Sequence, residues 1–542
     1  MSRRHKPRVQ SGLPKQKAAA SCTEDPVERL ADEAAREQLA GNFEAAKRLY
    51  TEALSRNVRH ARSLLGVGLI AYDSGSYEIA AKMMERAIAI DDRQPSYHSC
   101  LGAALHAQKK IGQAIAAYEH ALRLDPKLAD VWSDLGVALG EDGKPDRAQA
   151  HYEHALRLNP KHAPARSNLA NILRAQGRIE EAKQELERAL QLQPDLAEAH
   201  NNLGTVLRNL GDLSGARRCY ERALALRPDY PQASWNHCIL DLQEGNFTAG
   251  WRDFEVRYRC GIKGLRNFPQ PLWRGEPLDG ARILLHSEQG FGDVIQFLRY
   301  LPMVRDAGGR LILSVPLGLR RMAAEIPGVE ALGVTGEALP EFDWHCPLMS
   351  LPYAFRTEME TIPRAVPYLT IPEASKEAAG RLSWPDQGLR VGLVWSGNPD
   401  HVEDKLRSIP LRLFEPLLRT EGVDFYSLQV GPGEAELAQV QASITDLRRE
   451  IRDMADTAAL LTHLDLVIAV DTAVVHLAGA LARPAWVLLP LVPDWRWLME
   501  GEENPWYPTL RLFRQRKFRA WEPVLERVGQ ELAALARAKQ RA

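Results

Sequence analysis

Three short segments in the second half of the chain combine residue types that can hold an anion or move a proton. The first is Leu464–Leu481, LDLVIAVDTAVVHLAGAL. Its apolar run Leu466–Val470 stops at Asp471-Thr472, and a second apolar pattern with helical spacing begins at Ala473. A strand, tight turn and helix in this order points the free N–H groups of the helix start beyond the sheet's carboxyl edge, where their partial positive charge favours phosphate. His476 lies one turn in, on the side of Thr472, from which an imidazole reaches the same anion. The plain alternative is a helix capped by Asp471 and Thr472, with a structural His476.

The second segment is Ile283–Pro302, ILLHSEQGFGDVIQFLRYLP. A strand, Ile283–Leu285, leads into the loop Ser287–Gly292, and Asp293 falls at a helix start. Gly290 and Gly292 allow a sharp turn and a close substrate approach. A carboxylate at that lip can act as general base; simple capping of the helix by Asp293 is the alternative. The third segment is Val391–Leu411, VGLVWSGNPDHVEDKLRSIPL, in which Lys405 and Arg407 follow a strand end. Two cations placed there can hold a diphosphate, although each taken singly reads as a solvated surface charge. SLQVGPGEAEL then sets Glu434 after a Gly-Pro-Gly turn. Asp494, Trp495, Arg496 and Trp497, with Trp506-Tyr507, read either as a sugar platform or as a Trp-rich core under a long loop. His345 and Cys346 have no third ligand near in sequence, so no metal site is expected.

These residues need parallel sheets to position them. From Ile283 onward, short β-rich runs alternate with helical patterns: Ile283–Leu285, Leu311–Val315, Val391–Trp395, Phe425–Gln429, Leu466–Val470 and Trp486–Leu489. Such alternation implies two α/β units split near Pro385, with ligands at the strands' carboxyl ends between them. Trp521, Val524, Leu525, Val528, Leu532 and Leu535 mark a terminal helix packing back.

The first half is a repeat array. Alanine recurs every 34 residues at Ala53, Ala87, Ala121, Ala155, Ala189 and Ala223, and again at Ala46, Ala80, Ala114, Ala148, Ala182 and Ala216. Small residues keep the same step at Ala34, Gly68, Gly102, Gly136, Ala170 and Gly204. This is the tetratricopeptide pattern, an α superhelix with a long concave surface that suits a polypeptide. A degenerate seventh unit carries Gly245, Trp251 and Phe254 in register. Asn168, Asn202 and Asn236 also stand 34 apart, with Arg174 and Arg208 as a shorter series. An asparagine ladder can donate to and accept from peptide amides without reading side chains; a plain consensus preference for Asn explains the spacing equally well.

The 542 residues allow two to four domains, and 45% apolar with 26% charged content suits a soluble globular chain. A net charge of -1 provides no global field for nucleic acid. Six scattered cysteines without CxxC pairs argue against zinc and disulfide frameworks and suit a reducing, cytoplasmic setting. No apolar run approaches a membrane span, and the basic, polar residues 1–23 lack a signal-peptide core. The resulting division is a tail at 1–23, repeats at 24–260 and a linker at 261–279. Two α/β units follow at 280–385 and 386–519, and a terminal helix at 520–542.

Taken in order, GFGD, the basic loop, the Gly-rich turn with Glu434, and DTAVVH make the segment from about Gly280 to Arg519 resemble the ADP-heptose:lipopolysaccharide heptosyltransferases, glycosyltransferase family 9. The resemblance implies a GT-B fold of two facing Rossmann-like units, inversion at the anomeric centre, and no cofactor or metal. The lack of any Asp-x-Asp after residue 262 agrees with this. Carried over, Asp293 corresponds to the general base; Gly290 and Gly292, read from their place in the loop, are acceptor-side candidates. Arg407 corresponds to the donor-phosphate cation and Glu434 to the ribose contact, while Asp471, Thr472, Ala473 and His476 lie at the diphosphate; Lys405, read from its place after the strand end, is a further donor-side candidate. Ala473 stands where that family usually has Gly. Trp495 and Trp497 are the candidate sugar contacts on the acceptor side. The asparagines resemble the ladder in O-GlcNAc transferase, and the fusion of repeats to such a unit resembles the layout of that enzyme and of bacterial flagellin glycosyltransferases.

The expectation is an inverting glycosyltransferase that moves a sugar from a nucleotide-diphosphate donor to a hydroxyl of a protein held by the repeats. Two alternatives stand: an enzyme acting on a polysaccharide or lipid-linked glycan, and a repeat scaffold whose GT-B half is inactive. If Asn168, Asn202 and Asn236 hold a peptide backbone, changing all three to Ala weakens protein binding and leaves nucleotide affinity unchanged. Binding assays on the triple variant check this.

Overall fold

The computed structural model describes residues 25–261, 266, 268–385, 387–399, 401 and 404–541. The basic segment 1–23, with Cys22, lies outside the described residues. Fourteen helices of the repeat half form seven pairs, from Pro26–Leu39 with Phe43–Arg56 to Pro231–Gln243 with Phe247–Phe254. The turn inside each pair needs a left-handed residue to end the first helix, and Gly supplies it without a Cβ clash. Gly41, Gly75, Gly143, Gly177, Gly211 and Gly245 all have φ between 75° and 85°, and Lys109 takes the same place in the third pair at φ 65°. In the second, third and fourth pairs the small residue of the first helix, Gly68, Gly102 or Gly136, lies where a Met or Tyr side chain crosses it. A Cβ on Gly102 would stand 2.7 Å from the Tyr118 ring, and one on Gly136 2.6 Å from Tyr152.

The chain forms two compact units. One reaches to Val206 and includes Glu221–Asp229; the other holds Leu207–Tyr220 and the chain from Tyr230 onward. The seventh helix pair therefore belongs with the α/β part, although its sequence register assigns it to the repeats. The reason is its aromatic content. Phe247, Trp251 and Phe254 are buried in one apolar cluster with Trp273, Phe297, Trp495 and Trp506, and the Trp251 and Trp495 rings meet edge to face at 4.9 Å. Nor are the described residues of 261–279 a free linker. Trp273 is buried and donates its backbone N–H to the His345 carbonyl at 2.8 Å, so this stretch is laid along the first sheet.

That sheet contains β1 (Arg282–His286), β2 (Arg310–Val315), β3 (Val329–Val334) and β4 (Trp344–Pro347) in the order β3-β2-β1-β4, all parallel. The second contains β5 (Leu389–Val394), β6 (Val423–Ser427), β7 (Thr445–Asp446), β8 (Leu466–Val470), β9 (Ala485–Leu489) and β10 (Leu510–Arg514). Its order is β10-β9-β8-β5-β6-β7, again all parallel. Counted from each sheet's own first strand, both run 3-2-1-4, the order of doubly wound sheets, and the chain switches direction between strands one and four. The strands read as continuous apolar runs because both faces are covered. In β8, Val467 and Ala469 join the cluster shared with the first sheet. Leu466, Ile468 and Val470 face a second cluster with Trp521, Val524, Leu525, Val528 and Leu532 of the terminal helix Glu522–Arg541. Leu535 is an exception: it is exposed, and Ala536 takes the buried place. Among the described residues no helix is long and apolar enough to cross a membrane.

The shared core yields a direct expectation. Trp251→Ala should cost the second unit about 3–5 kcal/mol, the usual loss for an aromatic truncated in a core. Urea unfolding measures it, and a fragment beginning at Leu207 should fold cooperatively where one beginning at Phe268 does not.

Candidate functional site

The two switch points define where the chemistry-bearing residues stand. At the first, between the carboxyl ends of β1 and β4, the loop after β1 carries Glu288 and the strand β4 leads to Ser350. Arg257, fully buried after the seventh helix pair, spans both. Its Nε and Nη2 each lie 3.2 Å from a Glu288 carboxylate oxygen, and Nη2 also donates to the Ser350 hydroxyl. Glu255 accepts from the same guanidinium. Burial pushes the Glu288 carboxyl up, and Arg257 acts against that rise. This network anchors the loop that leads to Asp293.

Asp293 occupies the third position of the helix Phe291–Phe297. The residue before that helix is Gly290, with extended backbone and no side-chain cap, so Asp293 is not a capping residue. Its Oδ1 instead pairs with Arg496 Nη2. Neither Gly290 nor Gly292 has a positive φ, so the expected sharp turn does not require them. Their roles are steric. A Cβ on Gly292 would stand 2.7 Å from His476 Cδ2, so this glycine lets the helix Phe291–Phe297 approach the helix Ala473–Ala480 rather than admitting a substrate. A Cβ on Gly290 would sit 3.5 Å from Asp293 Oδ2, and its absence leaves that oxygen's flank open.

Arg496 joins the two sheets. It lies in the turn Trp495–Trp497, buried, with its guanidinium over the Trp495 ring at 4.3 Å. Nη1 donates to Asp494 Oδ1 at 2.7 Å and Nε to Gln296 Oε1 at 2.6 Å, while Nη2 takes Asp293. Burial disfavours its charge, but Asp494, Asp293 and Asp471 outweigh that and raise its pKa further. Asp494 goes the other way: burial pushes it up, against Arg496.

At the second switch point, β5 ends in Trp395-Ser396-Gly397 and β8 in Asp471-Thr472. Gln429, buried at the end of β6, braces the first of these. Its Oε1 accepts from Trp395 and Ser396 backbone N–H at 3.1 and 3.0 Å, and its Nε2 donates to the Ser396 carbonyl at 3.1 Å. Arg407 lies against the same strand end, 3.3 Å from Asp404 Oδ1; a Cβ on Gly397 would stand 2.8 Å from its Nη2. Lys405, one turn position away, is exposed. Thr472 is the residue before the helix Ala473–Ala480, in extended conformation, and its buried Oγ1 has no hydrogen-bond partner among the described residues. Ala473 and Val474 remain half-buried, so the helix start is accessible. Despite burial, Asp471 is held below the usual carboxylate range by His476 and by the field of Arg407.

Two expectations, those for His476 and for the tryptophans, need correction. His476 is not an open phosphate contact. Its ring is buried in the seam, Nδ1 hydrogen-bonded to the Tyr507 hydroxyl at 3.1 Å and Nε2 3.8 Å from Asp471 Oδ1, so it positions Asp471. Trp495 and Trp497 are 2% and 0% exposed and cannot offer a face to a sugar; they pack in the core, because the loop around them closes over the seventh helix pair. Glu434 is engaged locally. It accepts from Gly431 N–H at 2.6 Å and from Arg448 at 2.7 Å, which together hold its carboxyl low. Its neighbour Gly433 packs on Ser396 and Trp395, which keeps Glu434 along the carboxyl edge of the second sheet. The asparagines are half-buried on first helices of successive pairs. Asn202 donates to the Ser167 hydroxyl at 3.0 Å and Asn236 accepts from Gln232 at 3.5 Å. Asn168 and Asn202 belong to one compact unit and Asn236 to the other. Gln296, Gln429, Glu288 and Arg257 were not singled out from the sequence, and Arg496 was named there only as a member of the Trp-rich cluster, without its role as the link to Asp293.

Comparison with known proteins fits the repeat half. Profiles described as tetratricopeptide repeat match residues 34–98, 141–205 and 197–230, and one described as TPR repeat matches 104–143. Protein FlbA of Caulobacter vibrioides is 30% identical over 327 residues, covering 54% of this chain and 53% of its own. The chain thus spans about half the length of that curated relative. Among solved structures, Pseudomonas aeruginosa PilF is 20% identical with a TM-score of 0.35, covering 38% of this chain and 94% of its own. A tetratricopeptide repeat protein from Parabacteroides merdae is 14% identical with a TM-score of 0.37, covering 43% and 93%.

The tight seam is testable. Gly292→Ala forces a methyl into the His476 ring, and overpacking of this kind should cost about 1–3 kcal/mol. A lowered melting temperature, larger than that of Gly290→Ala, is the expected result.

Proposed function

We propose that this chain is an inverting glycosyltransferase of GT-B type, acting on a protein acceptor held by its tetratricopeptide repeats. The observation that supports this reading is the convergence on Arg496. Through it the Asp293 carboxylate of the first sheet is tied to the switch point of the second, where Asp471, Thr472 and Arg407 stand. Carboxyl-edge switch points are where doubly wound sheets hold nucleotides.

In this mechanism the donor diphosphate lies at the start of the helix Ala473–Ala480. Backbone N–H groups of Thr472 and Ala473 bind it, with the orphan Thr472 hydroxyl as a further donor and Arg407 and Lys405 supplying positive charge. The acceptor hydroxyl approaches Asp293 from the Gly290 side. Arg496 occupies Oδ1, so Oδ2 takes the proton as the new C1–O bond forms and the bond from C1 to the diphosphate breaks. The nucleoside diphosphate leaves with the bonding electron pair, and the anomeric centre inverts. Arg496 divides its charge among several carboxylates, which orients Asp293 without dedicating a full cation to it. Serine or threonine hydroxyls are the expected acceptors, as in the protein glycosyltransferases whose layout the chain resembles.

Asp293→Asn tests this reading. The amide keeps the size of the side chain and cannot take a proton near neutral pH. Transfer, read by mass spectrometry as sugar mass on co-purified proteins, should fall at least about 10²-fold, with donor affinity near wild type and melting temperature monitored alongside. A folded variant with full transfer would remove Asp293 from the chemistry.

A further inference from the structure

A second site lies wholly within the repeat unit, on the first helices of the first three pairs. There a cavity of about 80 Å³ opens to solvent, several times the roughly 10–15 Å³ that one water needs. Its apolar walls are Ala31 and Ala35 of the helix Pro26–Leu39, Leu65 and Leu69 of the helix Ala61–Asp73, and Tyr97 of the helix Pro95–Ala107. Gly66 also lines it and has no room for a side chain, because the Tyr50 ring lies where its Cβ would stand. Ala35, Arg62 and Ser96 are half-buried and Gln94 is exposed, so the cavity opens on their side. Among the lining residues only Arg62 is charged, and that charge is already matched. Its Nη1 donates to Glu28 Oε2 at 2.6 Å and its Nη2 to Asp32 Oδ1 at 2.7 Å. The same helix positions change character along the array. Leu65 and Leu69 correspond to Ser167 and Asn171 three repeats on, and to Asn201 and Thr205 in the next. Gly66 stands in the column of Asn168 and Asn202. The cavity therefore occupies, with apolar residues, the place that carries amides and hydroxyls farther along.

We propose that this cavity takes one uncharged aliphatic side chain, of about leucine size, from the polypeptide that the repeats hold. Leu65, Leu69 and Tyr97 shelter its methyl groups from water, which is the driving force for its entry. The charge pattern excludes the ionic occupants. A carboxylate, whether a side chain or a chain terminus, would leave water for a guanidinium that Glu28 and Asp32 already hold, and a lysine would meet Arg62 itself. The asparagine positions can serve backbone amides but read no side chain. The cavity thus supplies the sequence preference that those positions lack. In naming a polypeptide as the partner, this inference rests on the proposed function; it requires no sugar transfer.

The test uses the full chain and an alternating Gly-Ser peptide with one central diazirine analogue of leucine. Irradiation links the analogue to whatever side chains surround it, and mass spectrometry of the digested chain locates the adducts, even where binding is weak. Adducts should concentrate on Leu65, Leu69 and Tyr97. The same peptide carrying ordinary leucine should suppress them, and its glutamate or lysine counterparts should not. Ala35→Phe and Ser96→Phe each place a ring at the half-buried mouth and fill the cavity from different helices. Each should reduce labelling of these three residues by about 10-fold or more, the effect of denying burial to two or more methyl-sized groups. If a filled variant melts early, the competition on the unaltered chain decides. Adducts spread over the surface without enrichment at the three residues overturn the proposal. So does equal suppression by the glutamate or lysine peptide, and so does undiminished labelling in a folded, filled variant. Labelling is read without any donor, so a chain that shows these results yet transfers no sugar would refute the transferase reading alone.

Discussion

A single buried guanidinium organises the second unit. Arg496 reaches across the seam between the two sheets to Asp293 and Gln296 while its own loop supplies Asp494. Removing one member of such a group leaves buried charge without a partner, at a cost of about 3–5 kcal/mol, so the arrangement is strongly held. The same constraint fixes direction. The cation takes Asp293 Oδ1 and leaves Oδ2 beside Gly290, and it ties the first helix of one sheet to the loop that follows β9 in the other. Gly292 and His476 complete the seam by close contact, and His476 in turn orients Asp471. A substitution in this seam therefore acts on both switch points together.

The framework of this unit was largely legible because buried parallel strands carry uninterrupted apolar runs. Six of the ten strands, β1, β2, β5, β6, β8 and β9, coincide with runs visible in the sequence. The four that were not visible, β3, β4, β7 and β10, are the edges of the two sheets. Edge strands pair on one side only and need less continuous burial. VEALGV and LRLFR mix polar with apolar residues, and Thr445–Asp446 is too short to show a period. The repeat half was legible for the opposite reason, since one local solution recurs at fixed spacing and each recurrence reinforces the period.

Side-chain roles were less legible, because they depend on contacts far apart in sequence. Gly292 looks like a flexible loop residue until His476, in another sheet's helix, is found against it. Trp495 and Trp497 look like a binding platform until the seventh helix pair closes over them. That pair follows the repeat register but carries Phe247, Trp251 and Phe254, and its aromatic area commits it to the α/β core. Local register decided its backbone and long-range burial decided its allegiance. Arg257, fixed between that pair and Glu288, extends the same coupling to the loop that bears Asp293.

The central claim is that the two switch points, joined by Arg496, form one centre for breaking a sugar–diphosphate bond. Slow hydrolysis of sugar nucleotides by the purified chain tests it most directly, because water can replace the acceptor without any knowledge of the natural partner. With ADP-, UDP- and GDP-linked sugars offered in turn, the account predicts that at least one is hydrolysed and that proton NMR catches the released sugar first as the inverted anomer. Release with retained configuration, or neither binding nor hydrolysis of any of these donors, would contradict it.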